Sequence, residues 1–141
     1  MKTKILLGLV AGIVISQAGC TTKILSVPIP AEVKTQDKQG VAMYFGDQTH
    51  ASVRKKLETK EVRVRVPGMM EGKEATCNAA LGKAVNDLRE YARTRQANAV
   101  INVKTRFQRT ESSSATDFTC GASNNGSTLA VSGDIVQLDT E

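Results

Sequence analysis

Apolar and polar positions change period several times along the chain, and each change marks an element. Glu61-Val62-Arg63-Val64-Arg65-Val66 alternates strictly, which predicts a half-buried strand with three valines on one face and three charges on the other. Pro67-Gly68 ends it. Cys77, Leu81, Ala84, Leu88 and Tyr91 then recur at spacings of four and three, predicting one long helix with Thr76 as its N-cap. Val85 and Ala92 widen that stripe, while Lys83, Asn86, Asp87, Arg89, Glu90 and Arg93 fall on the wet side. Ile101, Val103, Thr105 and Phe107 share one face of a second clear strand, and Val41–Phe45 reads as a shorter one before the turn Gly46-Asp47.

Two regions are less regular. Thr116–Cys120 suggests a short strand, followed by turn sequence over Gly121–Ser127. In the last strand Leu129 and Val131 hold one parity, while Val136 and Leu138 hold the other. A bulge near Gly133 would turn both halves inward. The expected fold class is α+β: one long helix packed on a small, mostly antiparallel sheet in the order β-β-α-β-β. Residues 41–138 form that single domain, with Met69 and Met70 covering its core margin.

The start of the chain follows other rules. Lys2 and Lys4 precede an apolar run from Ile5 to Ile15, and Gln17-Ala18-Gly19 leads into Cys20. This is the layout of an export signal, and a cysteine directly after small residues points to lipoprotein processing. Residues 1–19 are then the signal peptide, and Cys20 becomes the lipid-bearing N-terminus. The plain alternative is a soluble exported protein cut nearby. The apolar run is shorter than the roughly 20 residues needed to span a bilayer. Residues 20–40, with Pro28, Pro30 and a polar tail, read as a flexible lipid-anchored tether, with docking through Ile24, Leu25 and Val27 as the alternative.

Composition narrows the function classes. The chain of 141 residues carries +5; without residues 1–19 it keeps 17 basic and 14 acidic side chains, a net of +3. That is ordinary solubility charge, and an exported protein does not meet nucleic acid. No Trp, two Tyr and three Phe argue against a sugar-stacking cleft. With Cys20 assigned to lipid, Cys77 and Cys120 remain, and in an oxidising envelope the simplest reading is a disulfide between them.

The catalytic inventory is thin. His50 is the sole histidine, too few for a zinc site with these cysteines, and Ser112-Ser113-Ser114 has no histidine partner at a recognisable spacing. No phosphate-binding G-x-x-x-x-G-K-[ST] loop is present. Asp47, Glu58, Glu71, Glu74 and Asp117 read as surface acids. No catalytic residue, metal ligand or cofactor is expected. Lys60, Arg63 and Arg65, with Lys55 and Lys56, form the one regularly presented basic cluster. It reads either as a solvated strand face that blocks edge-to-edge pairing, or as a contact for an acidic partner or lipid headgroups.

Cys77-Asn-Ala-Ala-Leu with Leu88-Arg-Glu-Tyr-Ala92, then Ala97-Asn98-Ala99-Val100-Ile101-Asn102-Val103, Ser113–Ala122 and Leu129–Val136 together resemble small exported proteins related to the Rcs stress-sensor lipoprotein. More distantly, they are similar to the YbjQ-type heavy-metal-binding domain. The resemblance implies a β-β-α-β-β-like domain over residues 41–138, an envelope location, no catalysis, and action by touching other envelope proteins. The sensor lipoprotein has two disulfides where this chain has cysteines for one, and no ligand set here matches the heavy-metal label. By the sorting rule of such lipoproteins, Thr21 after Cys20 implies the periplasmic side of the outer membrane. The reading that follows is a non-enzymatic lipoprotein of stress-response type, palmitate-bearing and acting through an envelope protein partner. Its rival is a small-ligand or metal-binding periplasmic module, with a site near His50 or the 108–127 loop.

Overall fold

The computed structural model describes residues 21–34, 37 and 40–140. The signal segment 1–19 and the lipidation residue Cys20 lie outside the described residues. Among the described residues, seven strands and one α-helix follow in chain order: β1 (Lys23–Pro28), β2 (Ala42–Phe45), β3 (Val53–Pro67), α1 (Lys73–Thr94), β4 (Ala99–Phe107), β5 (Thr110–Ser112), β6 (Asp117–Ser123) and β7 (Gly126–Leu138). A short 3-10 helix, Ala31–Lys34, follows β1.

The expected small β-β-α-β-β unit is corrected to a seven-stranded mixed sheet carrying a single α-helix. β7 is its spine. Along one edge β7 pairs antiparallel with β3 from Gly126 to Leu138; its other edge is shared by β6 near Gly126 and by β4 from Ala130 to Val136. β1 pairs antiparallel with the far side of β6, β5 with β4, and β2 runs parallel to β4. A parallel pair needs a long crossover, and β3 with α1 supplies it. The stretch expected as a tether is therefore partly built into the sheet: Leu25 faces Cys120 and Val27 faces Phe118.

Helix α1 covers one face. Cys77, Ala80, Leu81, Ala84, Val85, Leu88 and Ala92 are buried against Val64, Val103, Phe118, Leu129, Val131 and Ile135 from the strands. The valine alternation of β3 falls as the sequence predicts, with Val62, Val64 and Val66 toward this core and Arg63 and Arg65 away from it. Thr76 is not the N-cap; it lies in the first turn, donating its hydroxyl to Gly72 O at 2.8 Å and accepting the Met69 amide at 3.3 Å. Arg89, expected on the wet side, is buried, with a guanidinium nitrogen 3.4 Å from Val33 O. Burial pulls its pKa down while neighbouring Asp37 supports the charge. The residues that follow β1 thus roof this side of the helix.

Two further expectations change. β7 needs no bulge: its register with β3 runs unbroken through Gly133, and Val136 and Leu138 join Ala99 and Ile101 in a second, smaller cluster on the opposite face. The irregularity lies in β4, where Asn102 adopts φ 51° between Ile101 and Lys104. Gly133 is the residue opposite it, and a Cβ there would come 2.5 Å from Val100 Cγ1. Met69 and Met70 do not cover the core; they are 40% and 102% exposed.

Cys77 and Cys120 form a disulfide with Cα atoms 6.0 Å apart, joining the second turn of α1 to the middle of β6. Both cysteines are fully buried, and the Ser127 hydroxyl lies 3.6 Å from the Cys77 sulfur.

Candidate functional site

The face of the sheet opposite α1 is mostly open and polar, and its side chains stand in lateral rows set by the register. Arg63 and Arg106 flank Ala130, Glu61 and Lys104 flank Ser132, and Thr59 and Ile101 flank Asp134. Glu61 ties the first two rows together: one of its carboxylate oxygens accepts from Arg106 at 2.9 Å and from Arg63 at 3.2 Å. Partial burial works to raise its pKa, but these guanidinium partners outweigh that and hold it below the usual carboxylate range. Arg106 is thereby anchored, while the Arg63 side chain remains 74% exposed.

The row at Asp134 forms the floor of a concavity of about 830 Å³, together with Thr59, Asn102, Lys104 and Ser132. The turn Gly46-Asp47 and the loop Ser113–Thr116 wall it. Asp134 accepts hydrogen bonds from Thr59 Oγ1 at 2.8 Å and Asn102 Nδ2 at 2.9 Å, with Lys56 Nζ at 3.4 Å. Partial burial pushes its pKa up, yet these partners win and keep it below the ordinary value. A carboxylate held ionised in this way is poorly matched to proton transfer near neutral pH. The loop hydroxyls are also engaged: Ser114 Oγ accepts the amides of Thr116 and Asp117 at 3.0 and 3.1 Å. Lys104 pairs with Glu111 at 3.8 Å. Among the described residues, no His or Cys lines this hollow.

β3 supplies a different kind of feature. It spans 15 residues and, among the described residues, pairs only with β7, so one full edge is unpaired. The Gly68 amide donates to Asn125 O at 3.0 Å, which sets the phase of the ladder. By the two-residue alternation of an antiparallel pair, the amides of Val66, Val64 and Val62 turn toward β7, and those of Arg65, Arg63 and Glu61 turn away. Pro67, which has no amide hydrogen, falls where that hydrogen would point outward, a usual place for proline on an edge. Register shifts between Val53 and Lys55 and between Lys56 and Glu58 distort the other half of the strand. β3 holds six basic and two acidic side chains, so +4 of the chain's +5 sits on this one strand.

The basic residues singled out from sequence do not share one face. Arg63 and Arg65 stand on the open face, whereas Lys60 lies on the helix side with its ammonium 4.5 Å from the centroid of the Tyr91 ring. The Tyr91 hydroxyl donates to Glu58, which raises the tyrosine pKa, and Arg95 reaches the same carboxylate at 3.3 Å. His50 sits apart from the concavity, its Nδ1 2.7 Å from Ala51 O and its ring 5.5 Å from that of Tyr44. Among the described residues no three His, Cys, Asp or Glu side chains group closely enough to hold a metal ion, and no helix is long and apolar enough to cross a membrane. The 108–127 stretch does contribute, through Ser113–Thr116. Thr59, Asn102, Lys104, Arg106 and Asp134 were not expected at a site. The one signal for them was Gly133, since glycine inside a strand marks close backbone approach, here of the β4 irregularity that carries Asn102.

Compared with protein-family models, with curated proteins and with solved structures, the chain matches none of them.

Proposed function

We propose that the chain is a non-enzymatic envelope lipoprotein, held by lipid on Cys20 at the periplasmic side of the outer membrane, that works by contact with another envelope protein. The export and lipidation pattern at residues 1–20 supports the location, and the resemblance to envelope stress-sensor lipoproteins points the same way. The observation that carries the contact reading is the free edge of β3, regular from Thr59 to Pro67 and flanked by exposed Arg63 and Arg65. An added strand would find outward amides and carbonyls to pair with, and half-buried Val62 and Val66 to cover. The charge selects the partner: a second copy of β3 would bring +4 against +4, whereas an acidic extended segment would be attracted.

The test is co-purification of the full, processed protein from crosslinked cells, alongside an Arg63→Glu, Arg65→Glu variant. A specific envelope protein should be recovered with the parent and lost with the variant. Equal recovery with both, or no enriched protein under several stresses, counts against the reading. The concavity over Asp134 favours a second reading, a small-ligand module. Calorimetric binding of a small molecule that Asn102→Ala abolishes and Arg63→Glu leaves intact would support it.

A further inference from the structure

We infer that one end of the sheet rests directly on the lipid surface, with Met70 entering its apolar layer, so that the domain is seated on the membrane rather than suspended from it. This rests on the proposed lipidation of Cys20 and specifies its geometry. Thr21 and Thr22 are the only residues between Cys20 and the first residue of β1. Thr21 itself lines a small hollow with Lys23, Lys73 and Asn124. Acyl chains on Cys20 would therefore leave the protein beside the start of α1 and the β6–β7 turn.

The connection from β3 to α1 occupies the same end. Gly68 is bonded to Asn125 in that turn at 3.0 Å, and the Met69 amide is held by Thr76 Oγ1 at 3.3 Å. The Gly72 amide donates to Met69 O at 3.1 Å, so the backbone is pinned on both sides of Met70, which is fully exposed, while Met69 is 40% exposed. Methionine is a flexible apolar side chain suited to irregular contact. A lipid attached at this same end of the sheet keeps the effective concentration of the bilayer at this spot very high. Charge has a minor part in it, because Lys23, Lys73 and Arg65 at this end are nearly balanced by Glu71 and Glu74. The contact is therefore apolar and insensitive to salt. With its Pro67 end at the membrane, β3 would carry its free edge roughly 45 Å into the periplasm at about 3.3 Å per residue.

The protein has no tryptophan, so Met70→Trp gives a single fluorescent reporter at an exposed position. The full-length, processed variant is reconstituted in vesicles of phosphatidylethanolamine and phosphatidylglycerol with brominated acyl chains, after its mass has been checked for acylation at Cys20. The introduced tryptophan should shift to the blue and lose most of its emission, equally at low and high salt. Thr140→Trp, at the far end of the sheet, should keep its emission. Acylated protein whose Met70→Trp emission stays water-like and unquenched would overturn the seating and leave the lipoprotein reading intact. A blue shift without bromine quenching, growing with protein concentration, would also overturn it, because a second copy would then cover the methionines. A chain without acyl groups would instead sink the lipoprotein reading, and this inference with it.

Discussion

Removing the disulfide by Cys77→Ala with Cys120→Ala should lower the melting temperature by about 15–20 °C. The closed loop has 43 residues and contains most of α1 and all of β4 and β5. In the chain-entropy account a loop of that length stabilises the fold by about 4 kcal/mol, chiefly by restricting the unfolded chain. Both cysteines are fully buried. Deleting their sulfurs leaves small voids between α1 and β6, for about 1 kcal/mol more. For a domain of about 120 residues the unfolding entropy is roughly 250 cal/mol/K, so 4–5 kcal/mol corresponds to about 16–20 °C. The assay is a thermal melt followed by circular dichroism on oxidised parent and double variant, with native alkylation checking that the parent has no free thiol. A double variant melting within about 4 °C of the parent, equivalent to about 1 kcal/mol, would refute the reasoning. Packing of α1 on β6 would then hold the loop without the bond.

Two glycines should respond in opposite directions. Gly133→Ala places a Cβ 2.5 Å from Val100 Cγ1 and 3.2 Å from Ile101 O, and urea titration should find a loss of about 1–3 kcal/mol. Gly82→Ala on α1 meets nothing within 4 Å, and the same titration should find a gain of about 0.5–1 kcal/mol. Asp134 adds a pH dependence. Its folded pKa lies below the ordinary 3.8, so its contribution is full above that value and is lost as pH falls through the lower folded one. Asp134→Asn should flatten the acid side of the stability–pH curve below pH 3.8 while lowering stability at neutral pH, as read from urea midpoints across the range.

What was legible in the sequence was whatever packs against α1. The valines of β3 alternate because one face is buried, and the helix stripe repeats because it meets the same core. Cys77 and Cys120 could be paired once compartment and count were considered. The rest was hidden for physical reasons. Arg54–Thr59 has no alternation because that half of β3 is an edge strand, distorted by two register shifts and wet on nearly every side. β1 looked irregular because Pro28 and Pro30 close it, although Pro28 ends the strand rather than interrupting it. The parity change in β7 implied a bulge, but the strand serves two apolar clusters on opposite faces and stays in register. Arg89 read as solvent-facing because one helix alone cannot reveal that the chain around Val33 covers its polar side. The open-face site escaped notice because residues such as Thr59, Asn102 and Asp134 meet only through pairing of three separate strands.

The claim that matters most is that β3 is a docking edge, and one measurement addresses it directly. A photoreactive amino acid is placed at Arg63 on that strand, and in a second protein at Lys83 on the exposed side of α1, and both are irradiated in intact cells. The account predicts a discrete adduct from position 63 alone, formed with an acidic segment of one envelope protein. The same adducts from both positions, or none from position 63, would contradict it.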